Sequence, residues 1–417
     1  MLNIILEELK KQNTEHYLIN EKRSTVNELY FIKRNLDMRR INNVTKYELT
    51  VYKDFEKDGM KMRGSSTCNL YPGMASEEIA KKITDTLHAA SFACNPFFEF
   101  PKPCVASQEK TDFPAEKTLS DAVSAIYEAD NDSEGFINSA ELFAENNIFH
   151  TVSSWGTDVT YSSHSIHGEY VTQCCSPEDV ETYQDFHYID LDKDALVSKV
   201  KRAIELTKSR AIANKCMVSG KIKLILSGQY VSDLLHFYSE RAAASMIYPH
   251  YSDFELNKQV QSDSISGDKL NISLTSDTPF SKEGIPMKER SLITDGVLNT
   301  IHGSSRFSYY LNIEPTGVYE GIKVVPGTTS LNEMESGRYL HVVNFSDFQM
   351  DAMSGRFGGE FRLAFYCDGD KVIPITNGSV SGSILELAGN IRLSSETQKL
   401  KNYEGPFAIE INEANIG

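Results

Sequence analysis

Lys221–His250, KIKLILSGQYVSDLLHFYSERAAASMIYPH, is the stretch from which the rest of the chain can be read. Lys221–Leu226 alternates polar and apolar side chains, the two-residue period of a strand with one buried face. Ser227-Gly228 follows as a turn and N-cap signal. Val231, Leu234, Leu235, Tyr238 and Ala242 then fall at i, i+3, i+4, i+7 and i+11, which is one face of a helix. His236 lies off that face, and Glu240 stands about one turn beyond it on the same side. A histidine and a carboxylate so placed are of the types that bind a metal, but two ligands fall short of a site, and a surface or interface pair making an ordinary i,i+4 contact is the reading taken.

The chain has 417 residues, too many for one ordinary core, so two domains are expected. Its 42 basic and 58 acidic side chains give a net charge of −16, which argues against a nucleic-acid partner because a broad basic surface is missing. No apolar run reaches the length of a membrane span. The N-terminal MLNIILEELKKQ mixes charges through its apolar positions and reads as an amphipathic helix, not a signal peptide. A cytoplasmic protein without a membrane partner is expected. The seven cysteines are odd in number and contain no CxxC pair. Cys174 and Cys175 are adjacent on an expected strand, pointing to opposite faces, so reduced thiols are the reading.

Working outward, residues 16–68 show period-two segments at His16–Ile19, Glu28–Ile32, Arg39–Asn43, Tyr47–Tyr52 and Lys61–Cys68, read as successive strands of an antiparallel meander. Ser76 opens a helix with Ile79, Ile83, Leu87 and Ala90 on one face. Asn95–Glu116 is a Pro- and Phe-rich connector, and Thr118–Ala129 a second helix. Ile148–Val159, Ser165–Cys175 and Tyr183–Ile189 read as strands, and Asp192 caps a third helix ending near Ala211–Asn214. Beyond the Lys221–His250 stretch come short β-rich runs separated by Gly, Asn and Asp turns, with Asp368-Gly369-Asp370 a hairpin turn. The class is α+β: an N-terminal antiparallel sheet with helices over 1–212, then a predominantly β C-terminal domain over 213–417.

Other candidate sites are weak. His150, His164 and His167 are close in sequence, but a spacing of three puts His164 and His167 on opposite faces of a strand. Ser304-Ser305-Arg306 has no surrounding GxSxG elbow and reads as a loop or turn. Gly355-Arg356-Phe357-Gly358-Gly359 lacks a P-loop lysine and reads as a bulge or turn where backbone approaches closely. His236 and Glu240 with His250 as a distant third would be an incomplete ligand set.

Several ordered motifs in the second half carry a resemblance. They are Thr294–Asn299 (TDGVLN), Ser304-Ser305-Arg306, Thr316-Gly317, Val325–Ser330 (VPGTTS), Ser354–Gly359 (SGRFGG) and Ala388-Gly389-Asn390. In that order they resemble the TldD/PmbA family, also called the modulator-of-DNA-gyrase family; the first half matches it in layout more than in motif. The resemblance implies a two-domain intracellular peptidase family. TldD-type members bind zinc through HExxxH on the helix that opens the C-terminal domain, plus a cysteine near the C-terminus. PmbA-type members, also called TldE, lack those ligands and pair with a TldD-type subunit, and together they degrade unfolded peptides and mature certain peptide antibiotics. Nothing in this chain's charge or motifs points to gyrase.

Laid over this chain, HExxxH puts His236 on the first histidine, Phe237 on the glutamate base and Arg241 on the second histidine, and no cysteine follows Gly389-Asn390. The resemblance therefore implies a PmbA/TldE-like subunit with no catalytic residue, no metal ligand and no cofactor of its own. Zinc is expected only on a TldD-like partner. The degenerate positions His236, Phe237, Glu240 and Arg241 are expected at a peptide groove or an interface. The expected partners are a TldD-like subunit or a second copy, with peptide as substrate. Two alternatives stand beside this reading: a stand-alone homodimeric peptide-binding protein, and a peptidase with an unconventional site.

Overall fold

The computed structural model describes residues 1–108 and 112–417, so part of the expected Asn95–Glu116 connector lies outside the described residues. The first half is built on a seven-stranded sheet. His16–Ile32, Asn35–Lys57 and Met60–Leu70 are three long strands of a meander, where the alternation suggested five short ones. The stretches between the expected strands, Asn20–Asn27 and Val44–Lys46, lie in one ladder that pairs His16 with Tyr52 and Ile32 with Asn35. A ladder is held by backbone hydrogen bonds, which do not require apolar side chains. Gly135–Ser153, Asp158–Cys174 and Val180–Tyr188 continue the sheet. The expected strand Ile148–Val159 in fact crosses a hairpin turn, with Gly156 at φ 97°.

Helices Leu2–Lys11 and Ser76–Ala90 cover the meander through Ile5, Leu9, Ile79 and Ile83. Helices Ala115–Ala129 and Lys193–Ala211 cover the rest of the sheet through Leu119, Ile126, Leu196, Val200 and Ile204. Asp192 caps the latter, its carboxylate accepting from the Ala195 N–H at 2.9 Å.

The second half holds a six-stranded sheet, from Val297–Leu298 at one edge to Thr397–Leu400 at the other, and an eight-stranded one. In the larger sheet, Gly220–Ser227 lies between Arg338–Met350 and Ala408–Ile416; Gly378–Ser383 and Arg356–Asp368 complete the circuit, because Arg356–Asp368 pairs back onto Arg338–Met350. The ladder therefore closes on itself. Gly228, at φ 71° and ψ −139°, turns the chain out of the central strand into helix Gln229–Arg241. A side chain there would be strained, which explains the glycine. The Asp368-Gly369-Asp370 hairpin is present, with the Asp368 carboxylate accepting from the N–H groups of Asp370 and Lys371 at 2.9 Å each. All seven cysteines are unpaired. Among the described residues no helix is long and apolar enough to cross a membrane.

Candidate functional site: a cavity between the two halves

Helix Gln229–Arg241 is buried on more than the face the sequence shows. Val231, Leu234, Leu235, Tyr238 and Ala242 are inside as expected, but so are Phe237 and Arg241, at 1% and 4% exposure. What remains open is the stripe Asp233, His236 and Glu240, and it faces a cavity of about 2070 Å³. The first half supplies the strand Val180–Tyr188 and the helix Lys193–Ala211 to this cavity; the second supplies Arg338–Met350 and Thr397–Leu400. Val180–Tyr188 pairs only with Asp158–Cys174, and Thr397–Leu400 only with Tyr403–Pro406, among the described strands. Each presents one unpaired backbone edge.

The structure thus separates the four residues laid over the motif. His236 and Glu240 line the cavity, whereas Phe237 and Arg241 do not. Phe237 packs edge-on against Tyr238 and Phe254, with centroids at 5.1 and 6.2 Å. The Arg241 guanidinium donates to the carbonyls of Ala352 and Met353 at 3.1 and 3.0 Å and to the carboxylate of Asp253. It also lies over the rings of Phe237 and Phe254 at 5.5 and 5.1 Å. Nδ1 of His236 faces the Ser232 carbonyl at 2.8 Å, and Nε2 faces that of Glu320 at 3.2 Å. The Ser232 hydroxyl also lies 3.2 Å from Nδ1, so both ring nitrogens have partners within this chain. His250 sits in a turn at φ 62° and does not line the cavity. Among the described residues no three His, Cys, Asp or Glu side chains are gathered as a metal would need.

The sequence reading passed over Asp233, three residues before His236 on the same stripe. Burial pushes its carboxyl up to about 6; His236 works against that rise and Asp185 adds to it. The side chain is accessible to water yet ringed by protein, as expected for a group standing inside a cavity. Across the space, His167 and His187 stack with centroids 5.9 Å apart, and Phe143 stacks on His167 at 5.3 Å. Burial depresses both imidazoles, His187 to about 4, with Lys401 adding to the effect. Burial also lowers the Lys199 ammonium and raises the Asp277 carboxyl. The wall is a polar, partly desolvated surface carrying charges of both signs.

The remaining candidates fall away from it. His150 serves Glu21 and Asp158, at 3.6 and 2.8 Å, and His164 serves Asp190 at 3.1 Å. Ser304 precedes the short helix Ser305–Tyr310, and the Ser305 hydroxyl donates to the half-buried Glu283 at 2.5 Å. Gly355 turns at φ 71°, and at Gly359 the Asp347 carbonyl comes so close that a Cβ would stand 1.8 Å from its oxygen.

Residues 219–417 match the PmbA/TldA metallopeptidase C-terminal domain. No curated protein matches the sequence. Among solved structures, TldE from Thermococcus kodakarensis superposes with a TM-score of 0.78 at 15% identity, covering 100% of this chain and 99% of that one. A protein from Thermotoga maritima described as a modulator of DNA gyrase gives 0.75 at 15% identity, covering 100% of both chains. One from Bacteroides thetaiotaomicron with the same description gives 0.74 at 15%, covering 100% of this chain and 98% of that one. The matched domain is confined to the second half of the chain, and the likeness to these solved structures is one of fold over its whole length.

Proposed function

We propose that this chain is a non-catalytic, PmbA/TldE-type subunit that holds extended peptide for a TldD-type zinc metallopeptidase. The observation that carries the reading is what occupies the motif positions. Metal-assisted hydrolysis needs a ligand set with an open position and a base for the proton of the bound water. Here Phe237 is core and accepts no proton, Arg241 is a buried cation that opposes a divalent metal, and both nitrogens of His236 are engaged by Ser232 and Glu320. These residues do not fit zinc. The peptide part of the reading is supported by the two one-sided strand edges bordering the cavity, to which an extended chain adds by backbone hydrogen bonds.

The test is the zinc content of the purified chain, with cleavage of an unfolded peptide measured alone and after mixing with a TldD-like subunit of the same source. We expect no zinc and no cleavage alone, and cleavage by the mixture in a complex that co-elutes. One zinc per chain with cleavage by this chain alone overturns the proposal; Asp233, His236 and Glu240 would then be the first residues to replace.

A further inference from the structure

A second pocket of about 480 Å³ shares Arg210, Ser346 and Arg362 with the wall of the large cavity. Arg210 comes from the last turn of helix Lys193–Ala211, and Arg362 from the strand Arg356–Asp368. The Arg210 guanidinium donates to the backbone carbonyl of Glu181. Neither arginine has a carboxylate within ion-pair distance among the described residues, although Glu360 also lines the smaller pocket. Seven of the other twelve arginines have an acid at ion-pair distance, among them Arg23 with Glu21, Arg40 with Glu28, Arg63 with Asp54 and Arg241 with Asp253. What sets Arg210 and Arg362 apart is that they line one pocket: burial lowers the Arg210 guanidinium, Arg362 adds to that effect, and no acid stands at ion-pair distance from either among the described residues. Like charges held together in a partly desolvated place are costly, and an oxyanion relieves that cost through the paired donors of the guanidinium fork.

Which oxyanion follows from Glu181. Its carbonyl ties Arg210 to the start of the Val180–Tyr188 edge. A strand added antiparallel to that edge runs from the Tyr188 end toward Val180, so its C-terminus arrives at the arginines. A parallel strand would bring its N-terminal ammonium there instead, against two positive charges. We propose that Arg210 and Arg362 form a carboxylate site that receives the free C-terminal carboxylate of a peptide paired antiparallel to the Val180–Tyr188 edge. This rests on the peptide-holding reading above and adds to it a direction of binding and a class of ligand: peptides with a free C-terminus.

Fluorescence anisotropy on the full chain tests it with three labelled, N-acetylated, unstructured hexapeptides. One ends in a free carboxylate, one is the same sequence as its amide, and one is an amide with glutamate at the last position. The free acid should bind about tenfold or more tighter than the amide, the range expected for a charged hydrogen-bonded pair. Arg362→Gln, on an exposed side chain, should erase that gap and leave the amide unchanged. Equal binding of acid and amide, or a gap that survives Arg362→Gln, overturns the site and leaves peptide holding intact. A glutamate-ended amide that matches the free acid overturns the C-terminal assignment. Failure of all three peptides to bind overturns both readings.

Discussion

Arg241 offers the sharpest test of how the motif position is used. Replacing it with leucine leaves the buried Ala352 carbonyl without a donor, which costs about 1–3 kcal/mol. The half-buried Met353 carbonyl adds roughly 0.5–1 kcal/mol, and the lost contact with the Phe237 and Phe254 rings another 0.5–2 kcal/mol or so. The ion pair contributes little, because the Asp253 side chain is 87% exposed. Leucine returns some apolar burial, so a net loss of about 3 kcal/mol is expected. For a half of this size that is a fall of roughly 6–12 °C in the transition of the C-terminal half. Differential scanning calorimetry of Arg241→Leu beside Asp253→Asn reads it, the second variant shifting by roughly 1 kcal/mol or less. If Arg241→Leu melts like the parent and changes peptide binding instead, Arg241 acts at a surface and the core assignment is wrong.

Three further outcomes are expected. Restoring the motif letters with Phe237→Glu and Arg241→His should gain no zinc by elemental analysis and should destabilise the fold, because the new carboxylate enters a site 1% exposed; stoichiometric zinc would refute this. Glu21, 2% exposed, is pushed up by burial, but His150 at ion-pair distance and hydrogen bonds from Arg23 and Tyr47 outweigh that and hold it at about 2. A depressed carboxyl stabilises above its unfolded value and loses that as pH falls toward 2; the wild type should lose melting temperature between about pH 5 and 3, and Glu21→Gln should flatten the profile. Asp233 is the opposite case: its raised carboxyl makes the fold less stable as pH climbs from the ordinary aspartate value through about 6. Asp233→Asn should therefore melt above the wild type at pH 7 and with it at pH 4, and a constant difference across that range would count against the assignment.

What was legible in the sequence follows from what each signal measures. The apolar stripe of Gln229–Arg241 was readable because burial imposes a helical period, and Asp192, the Asp368-Gly369-Asp370 turn and the central strand were readable for similar local reasons. Phe237 and Arg241 could not be placed this way. A one-faced stripe assumes a half-buried helix, and this one is enclosed on nearly every side except that of Asp233, His236 and Glu240. The strand boundaries in 16–57 were cut short because alternation reports side-chain burial while the ladder reports backbone pairing. Arg362 reaches Arg210 and the Val180–Tyr188 edge only through the packing of helix Lys193–Ala211 on the second half. No local pattern foretells that.

The closed ladder of the second half also has a temporal meaning. The strand Gly220–Ser227 opens this half, yet its two neighbours are the strands Arg338–Met350 and Ala408–Ile416, and Ile225 pairs with Glu410. Such distant pairings carry a large loop-closure entropy before any contact rewards them, and they slow folding. Helix Gln229–Arg241 therefore has no finished wall to rest on until the last strand is added. A ribosome-bound chain stalled before residue 408 should leave the second half open to protease, and the cavity should come into being in one late step.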